Sequence, residues 1–114
     1  MYDGIYEVSF STSPSRDHDF GHGIVTIKDG TINGGDHAYV YRGRLQTGEE
    51  KTTGRIHVSK WSVATTSVFS GLDDYELDFT GEFSGGDSLN GSGVVMGRSD
   101  LTLHVFAHRV ADAV

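Results

Sequence analysis

The side chains best suited to metal chemistry in this chain are six histidines and the acid-flanked triplet Asp17-His18-Asp19. His18 and His22 stand four apart, as do His104 and His108. In an extended strand that spacing puts both rings on one face about 13 Å apart, too far for one ion. A shared ion would need His57, His104 and His108 brought together from different strands. The chain has no cysteine, so thiolate chemistry, disulfides and cysteine-ligated zinc are excluded. No closed ligand set emerges, and neither a metal nor another cofactor is expected.

Carboxylates are the next candidates for chemistry. Glu76, Asp78 and Glu82 alternate with apolar residues, which places them together on the polar side of one strand. That pattern describes a solvated exterior better than an acid–base pair. Serine is plentiful, but no G-x-S-x-G elbow occurs and no nucleophile is matched to a base. Catalysis is therefore not expected.

The glycine-rich stretch KDGTINGGDHAYVYRG, residues 28–43, raises a phosphate-cradling alternative. A phosphate loop needs a Lys-Ser/Thr pair and a following helix. Here the segment AYVYRG follows, and it reads as a strand. Asp29-Gly30 is a strong two-residue hairpin signal, and Gly34-Gly35-Asp36 reads as a second tight turn with glycine at positive φ.

These residues must be held by short strands. Hydrophobic residues make up 36% of the 114 positions, enough for one folded domain over 1–114. Sixteen glycines against one proline, with many Val, Tyr, Phe and Thr, point to strands joined by tight turns. Period-2 alternation runs through Ile5–Phe10, Phe20–Lys28, Thr31–Asn33, His37–Leu45, Arg55–Trp61, Tyr75–Phe83, Leu89–Gly97 and Leu101–Ala107. Residues 13–19 read as a polar loop, 62–71 as an irregular turn or one short helix, 84–87 as a turn, and Arg98-Ser99-Asp100 as the last turn. Eight such segments predict an all-β, eight-stranded antiparallel up-and-down barrel, with a sandwich as the other possibility.

In that barrel Tyr6, Phe10, Phe20, Tyr75, Phe79 and Phe83 line the interior, either as packed core or around a small apolar ligand. Ile5, Val25 and Ile27 are read as lying opposite Tyr6, Val8, Phe10 and Ile24, which leaves an outer apolar face and predicts a homodimer. A net charge of −7 argues against direct nucleic-acid binding and against an anionic membrane surface, and it suits a basic protein partner. No apolar run is long enough to span a membrane as a helix, and the N-terminus has no signal-peptide pattern, so a cytoplasmic location is expected.

Asp3-Gly4-Ile5-Tyr6, Gly23-Ile24, Gly30, Gly34-Gly35-Asp36, Tyr41 and Gly43, with the ending LTLHVFAHR, together resemble the GrlR-type negative regulators of bacterial type III secretion. The resemblance implies a lipocalin-like eight-stranded barrel, dimeric, that restrains a transcriptional activator by protein–protein contact. It also implies a role for an acidic Glu-Asp-Glu-Asp motif in the loop after the Tyr41–Gly43 strand. Here that loop reads Gln46-Thr47-Gly48-Glu49-Glu50-Lys51, so only Glu49 and Glu50 match and Lys51 breaks the acidic run. A regulator that binds a basic DNA-binding protein and a carrier or sensor of a small apolar ligand both remain open.

Overall fold

Tyr6, Val8 and Phe10 point the same way because successive side chains of a strand alternate between faces. The computed structural model describes residues 2–11, 19–62 and 74–114, with 19–21 described by backbone alone. Its strands are β1 (Gly4–Ser11), β2 (Asp19–Lys28), β3 (Thr31–Gly35), β4 (Tyr39–Thr47), β5 (Thr52–Lys60), β6 (Asp74–Ser84), β7 (Ser88–Val95) and β8 (Arg98–Ala111). Each pairs antiparallel with the next, and β1 pairs with β8, so the sheet closes into an up-and-down barrel. No helix occurs among the described residues. The expected loop over 13–19 and the irregular stretch over 62–71, with Asp17 and His18, fall almost wholly outside the described residues.

The inward faces of the strands meet in one continuous core. Phe79 is 1% exposed and sits among Val, Leu, Ile and Tyr side chains contributed from around the barrel. Burial of this kind stabilises by about 25 cal/mol per Å² of apolar surface, so the core dominates the fold's energetics.

Three expectations are corrected. Gly34 and Gly35 are not turn residues: both lie in β3, and neither has positive φ. A Cβ on Gly34 would lie 2.0 Å from the Ile24 carbonyl oxygen, so its glycine permits close passage of β2 over β3. Positive φ occurs instead at Asp29 (53°) and Gly30 (80°), where the β2–β3 hairpin demands it.

The last hairpin turns at Met96-Gly97 rather than at Arg98-Ser99-Asp100, which opens β8. Gly97 supplies the left-handed backbone there, with φ of 85°.

Val25 and Ile27 face inward, contrary to the reading above. Val25 pairs with Tyr6 and Ile27 with Gly4, and directly paired residues share a face. Ile24, paired with Glu7, is the one that faces out, at 50% exposure. Adjacent apolar residues at 24 and 25 made the phase of this strand ambiguous until pairing fixed it.

Candidate functional site

The turn at Asp29-Gly30, the tip Gly48–Lys51, the turn Gly85–Asp87 and the entry to β1 gather at one end of the barrel. Glu49 and Glu50 are exposed at the β4–β5 tip, where the Gly48 amide donates to the Lys51 carbonyl at 2.8 Å. The loop that reads Gln46 to Lys51 is thus a four-residue tip over 48–51; Gln46 and Thr47 close β4, and Thr52 opens β5.

Beside the tip lies a pocket of about 160 Å³. Ile27, Leu45 and Phe83 give it an apolar floor, and Asp3, Asp29 and Thr47 stand around it. The floor is fixed from below. Tyr6, fully buried, donates its hydroxyl to the Tyr2 carbonyl at 2.8 Å. Tyr2 stacks on Phe83, and Phe83 meets Tyr6 edge to face at 6.2 Å. The rim is fixed by two bonds from backbone amides. The Asp29 amide donates to Asp3 Oδ1 at 3.2 Å, and the Leu45 amide donates to the Gly30 carbonyl at 2.7 Å.

Carboxylates of Asp3, Asp29, Glu49, Glu50 and Asp87 collect at this end, against Lys28, Arg44, Lys51 and Arg109. Arg109 is itself engaged with Asp112 at 2.5 Å. The result is an acidic rim around an apolar floor.

The opposite end carries a tyrosine cluster organised by Asp36. Its Oδ1 accepts from the amides of Ala38 and Tyr39 at 2.8 and 2.7 Å, and its Oδ2 accepts from the Tyr41 hydroxyl. This Asx-type cap holds residues 36–38 out of the ladder, which is why β4 starts at Tyr39 and not at His37. Trp61 donates Nε1–H to the Asp36 carbonyl at 3.1 Å. Phe10 packs edge to face on Tyr41 at 5.2 Å. Burial pushes the phenols of Tyr41 and Tyr75 well above the usual range. For Tyr41 the hydrogen bond to Asp36 adds to the rise, and for Tyr75 the nearby Tyr39 does. Tyr39 is 4% exposed, and its hydroxyl has no hydrogen-bond partner among the described residues.

Of the six aromatics read as interior lining, Tyr6, Phe10, Tyr75 and Phe79 are buried, and Phe83 packs against the core at the pocket. Phe20 belongs to β2 by its backbone, and its side chain lies outside the described residues. Among the described ones, Tyr6 and Phe83 stand toward the acidic end, while Phe10 and Tyr75 stand with the Asp36 cluster. Sequence reading missed Tyr2, Asp3, Asp29 and Asp36 as organising residues. The available signals were the Asp3-Gly4-Ile5-Tyr6 run and the five-residue step from Asp36 to Tyr41.

Metal and catalytic candidates stay apart. His57 lies on β5 and His104 and His108 on β8, with β6 and β7 between them. No group of three metal-competent side chains forms among the described residues. His57 Nε2 meets Asp74 Oδ1 at 2.7 Å, and Ser59 donates to Asp74 Oδ2 at 3.3 Å. The carboxylate thus stands between histidine and serine, the wrong order for a base activating a nucleophile. Asp78 and Glu82 are exposed on the outer face of β6, and Glu76 sits 3.9 Å from Arg55.

Comparison with protein-family models matches the chain to the family described as "T3SS negative regulator, GrlR", over residues 1–113. A search of curated proteins returns no match.

Proposed function

Since the chain belongs to the GrlR family of type III secretion system negative regulators, we propose that it acts without catalysis, by binding a basic protein partner such as a DNA-binding transcriptional activator. The observation that carries this reading is the acidic end of the barrel, where exposed Glu49 and Glu50 adjoin a pocket with an apolar floor. A DNA-binding surface is rich in Lys and Arg because it neutralises phosphates. An acidic end presents the same cations with an alternative set of anions, so occupation by this protein and by DNA would compete. Long-range attraction by a chain of net charge −7 would also speed encounter.

The test begins with a pull-down from native extract, followed by association rates of the captured partner at two salt concentrations. Wild-type protein should associate quickly with a steep loss at high salt. Glu49→Ala/Glu50→Ala should associate more slowly and lose part of that salt dependence. Identical rates and salt slopes for both proteins would remove the tip from the interface.

The working form in this proposal is a cytoplasmic homodimer. Ile24 and Val40, 50% and 37% exposed, flank Gly35 on one outer row, an apolar strip with no side chain between them. Light scattering at micromolar concentration should give twice the chain mass, and a monomer mass would remove this part.

A second reading is favoured by the Tyr39 hydroxyl. A buried donor without an acceptor costs about 1–3 kcal/mol. A polar atom of a small ligand inside the barrel would satisfy it, with apolar neighbours holding the rest. Native mass spectrometry should then show a retained small molecule that Tyr39→Phe releases, and bare protein in both samples would set this reading aside.

A further inference from the structure

We propose that the pocket beside the β4–β5 tip receives one basic side chain of a partner protein, with a second basic residue of the same segment reaching Glu49 and Glu50. This rests on the acidic-end reading above and names what that end recognises.

Size is the first argument. At about 30 Å³ per water, 160 Å³ takes about five water-sized groups, enough for a lysine side chain or for the outer part of an arginine. Chemistry is the second. Ile27, Leu45 and Phe83 suit methylenes, while Asp3 and Asp29 at the rim suit a cation. A long basic side chain is built in that order, an apolar stem with a charged head. A wholly apolar guest would strip water from those carboxylates and return nothing to them. The stacked rings of Tyr2 and Phe83 extend the apolar lining against which such a stem would pack.

Spacing is the third argument. Thr47 lines the pocket and Glu49 follows two residues later, so their Cα atoms are at most about 7.6 Å apart. An extended partner segment advances about 6.6 Å in two residues. The segment that fits therefore carries basic residues two apart.

The probe is a short blocked peptide with an Arg-Ser-Arg core, titrated into amide-labelled protein and followed by NMR. Control peptides carry norleucine or alanine in place of both arginines. The Arg peptide should shift the amides of Gly30, Thr47 and Phe83, with a Kd on the order of 1 mM for so small a ligand. Asp29→Asn keeps the left-handed backbone and should weaken binding about 3- to 10-fold. Thr47→Trp should block the pocket and abolish the Phe83 shift. If that variant loses its dispersed spectrum, Asp29→Asn decides alone. Equal binding of the norleucine peptide, no shift at the pocket, or no effect of Asp29→Asn would overturn the proposal. Shifts confined to residues 48–51 would overturn the pocket and leave the acidic tip standing. Pocket shifts that persist unchanged in Glu49→Ala/Glu50→Ala would keep the pocket and remove the tip.

Discussion

Tyr2 and Phe83 lie face to face, with ring centroids 3.9 Å apart and planes 4° from parallel. The stack ties the segment before β1 to the far end of β6, and both rings line the acidic pocket. Such pairs contribute about 0.5–1.5 kcal/mol beyond area burial. Tyr2→Ala should therefore cost about 1 kcal/mol in urea unfolding. Phe79→Ala empties the middle of the core and should cost about 3–5 kcal/mol. A Tyr2→Ala loss as large as that of Phe79→Ala would mean the entry segment is part of the cooperative core.

Asp36 and Tyr41 should behave as a coupled pair. Asp36→Ala removes the cap on the β3–β4 turn and leaves the Tyr41 hydroxyl without its acceptor, a loss of about 2–3 kcal/mol. Tyr41→Phe should cost less, about 1 kcal/mol. The double variant should lose less than the sum of the two. Strict additivity in the double-mutant cycle would show that the two side chains do not interact in solution.

Alkaline pH should destabilise the fold in a particular window. Burial raises the phenols of Tyr41 and Tyr75, and it raises Tyr6 against the opposing charge of Arg109. The unfolded chain gives up these protons near pH 10, while the folded chain keeps them. The folded state then binds more protons, so the contribution is complete below about pH 10 and falls as pH rises beyond it. The slope is up to about 1.4 kcal/mol per pH unit for each tyrosine. Thermal unfolding from pH 9 upward, with tyrosinate absorbance as a second signal, should show a steep decline that is shallower in Tyr41→Phe. A flat profile through pH 11 would contradict this.

Two glycine substitutions should separate close approach from backbone sign. Gly34→Ala drives a methyl into the Ile24 carbonyl and should cost about 3 kcal/mol or more. Gly86→Ala meets no atom within 4 Å but keeps φ at 78°, so only the left-handed penalty applies, about 1–2 kcal/mol. Equal losses in denaturant titrations would be evidence that β2 and β3 are not so closely apposed.

At the β4–β5 tip, replacing Glu49 and Glu50 by alanine should change stability by less than about 0.5 kcal/mol, because both side chains are exposed. A larger loss in urea would assign the pair a structural part in the hairpin.

Most of the barrel was legible because strand alternation is a local signal. Tyr75, Leu77 and Phe79 announce β6 without reference to any other strand, and Asp29-Gly30 announces its own turn. What stayed hidden depends on partners distant in sequence. Nothing near Gly34 reveals the carbonyl of Ile24 that excludes a side chain. Nothing in Ile24-Val25 says which of the two faces inward until Tyr6 pairs with Val25. The acidic tip was visible from Glu49 and Glu50 between glycines. Its pocket was not, since Asp3, Asp29, Leu45 and Phe83 come from four separate stretches of chain.

The closing of β1 on β8 bears on how the molecule forms. Seven of the eight strand pairings join sequence neighbours and can grow as independent hairpins in microseconds. The eighth brings Ile5 to Ala111 and must wait for nearly the whole chain. During synthesis the first strand therefore leaves the ribosome long before its second partner exists, with one edge open to other chains. Aggregation pressure should concentrate on that interval, and a chain ending before β8 would remain in it.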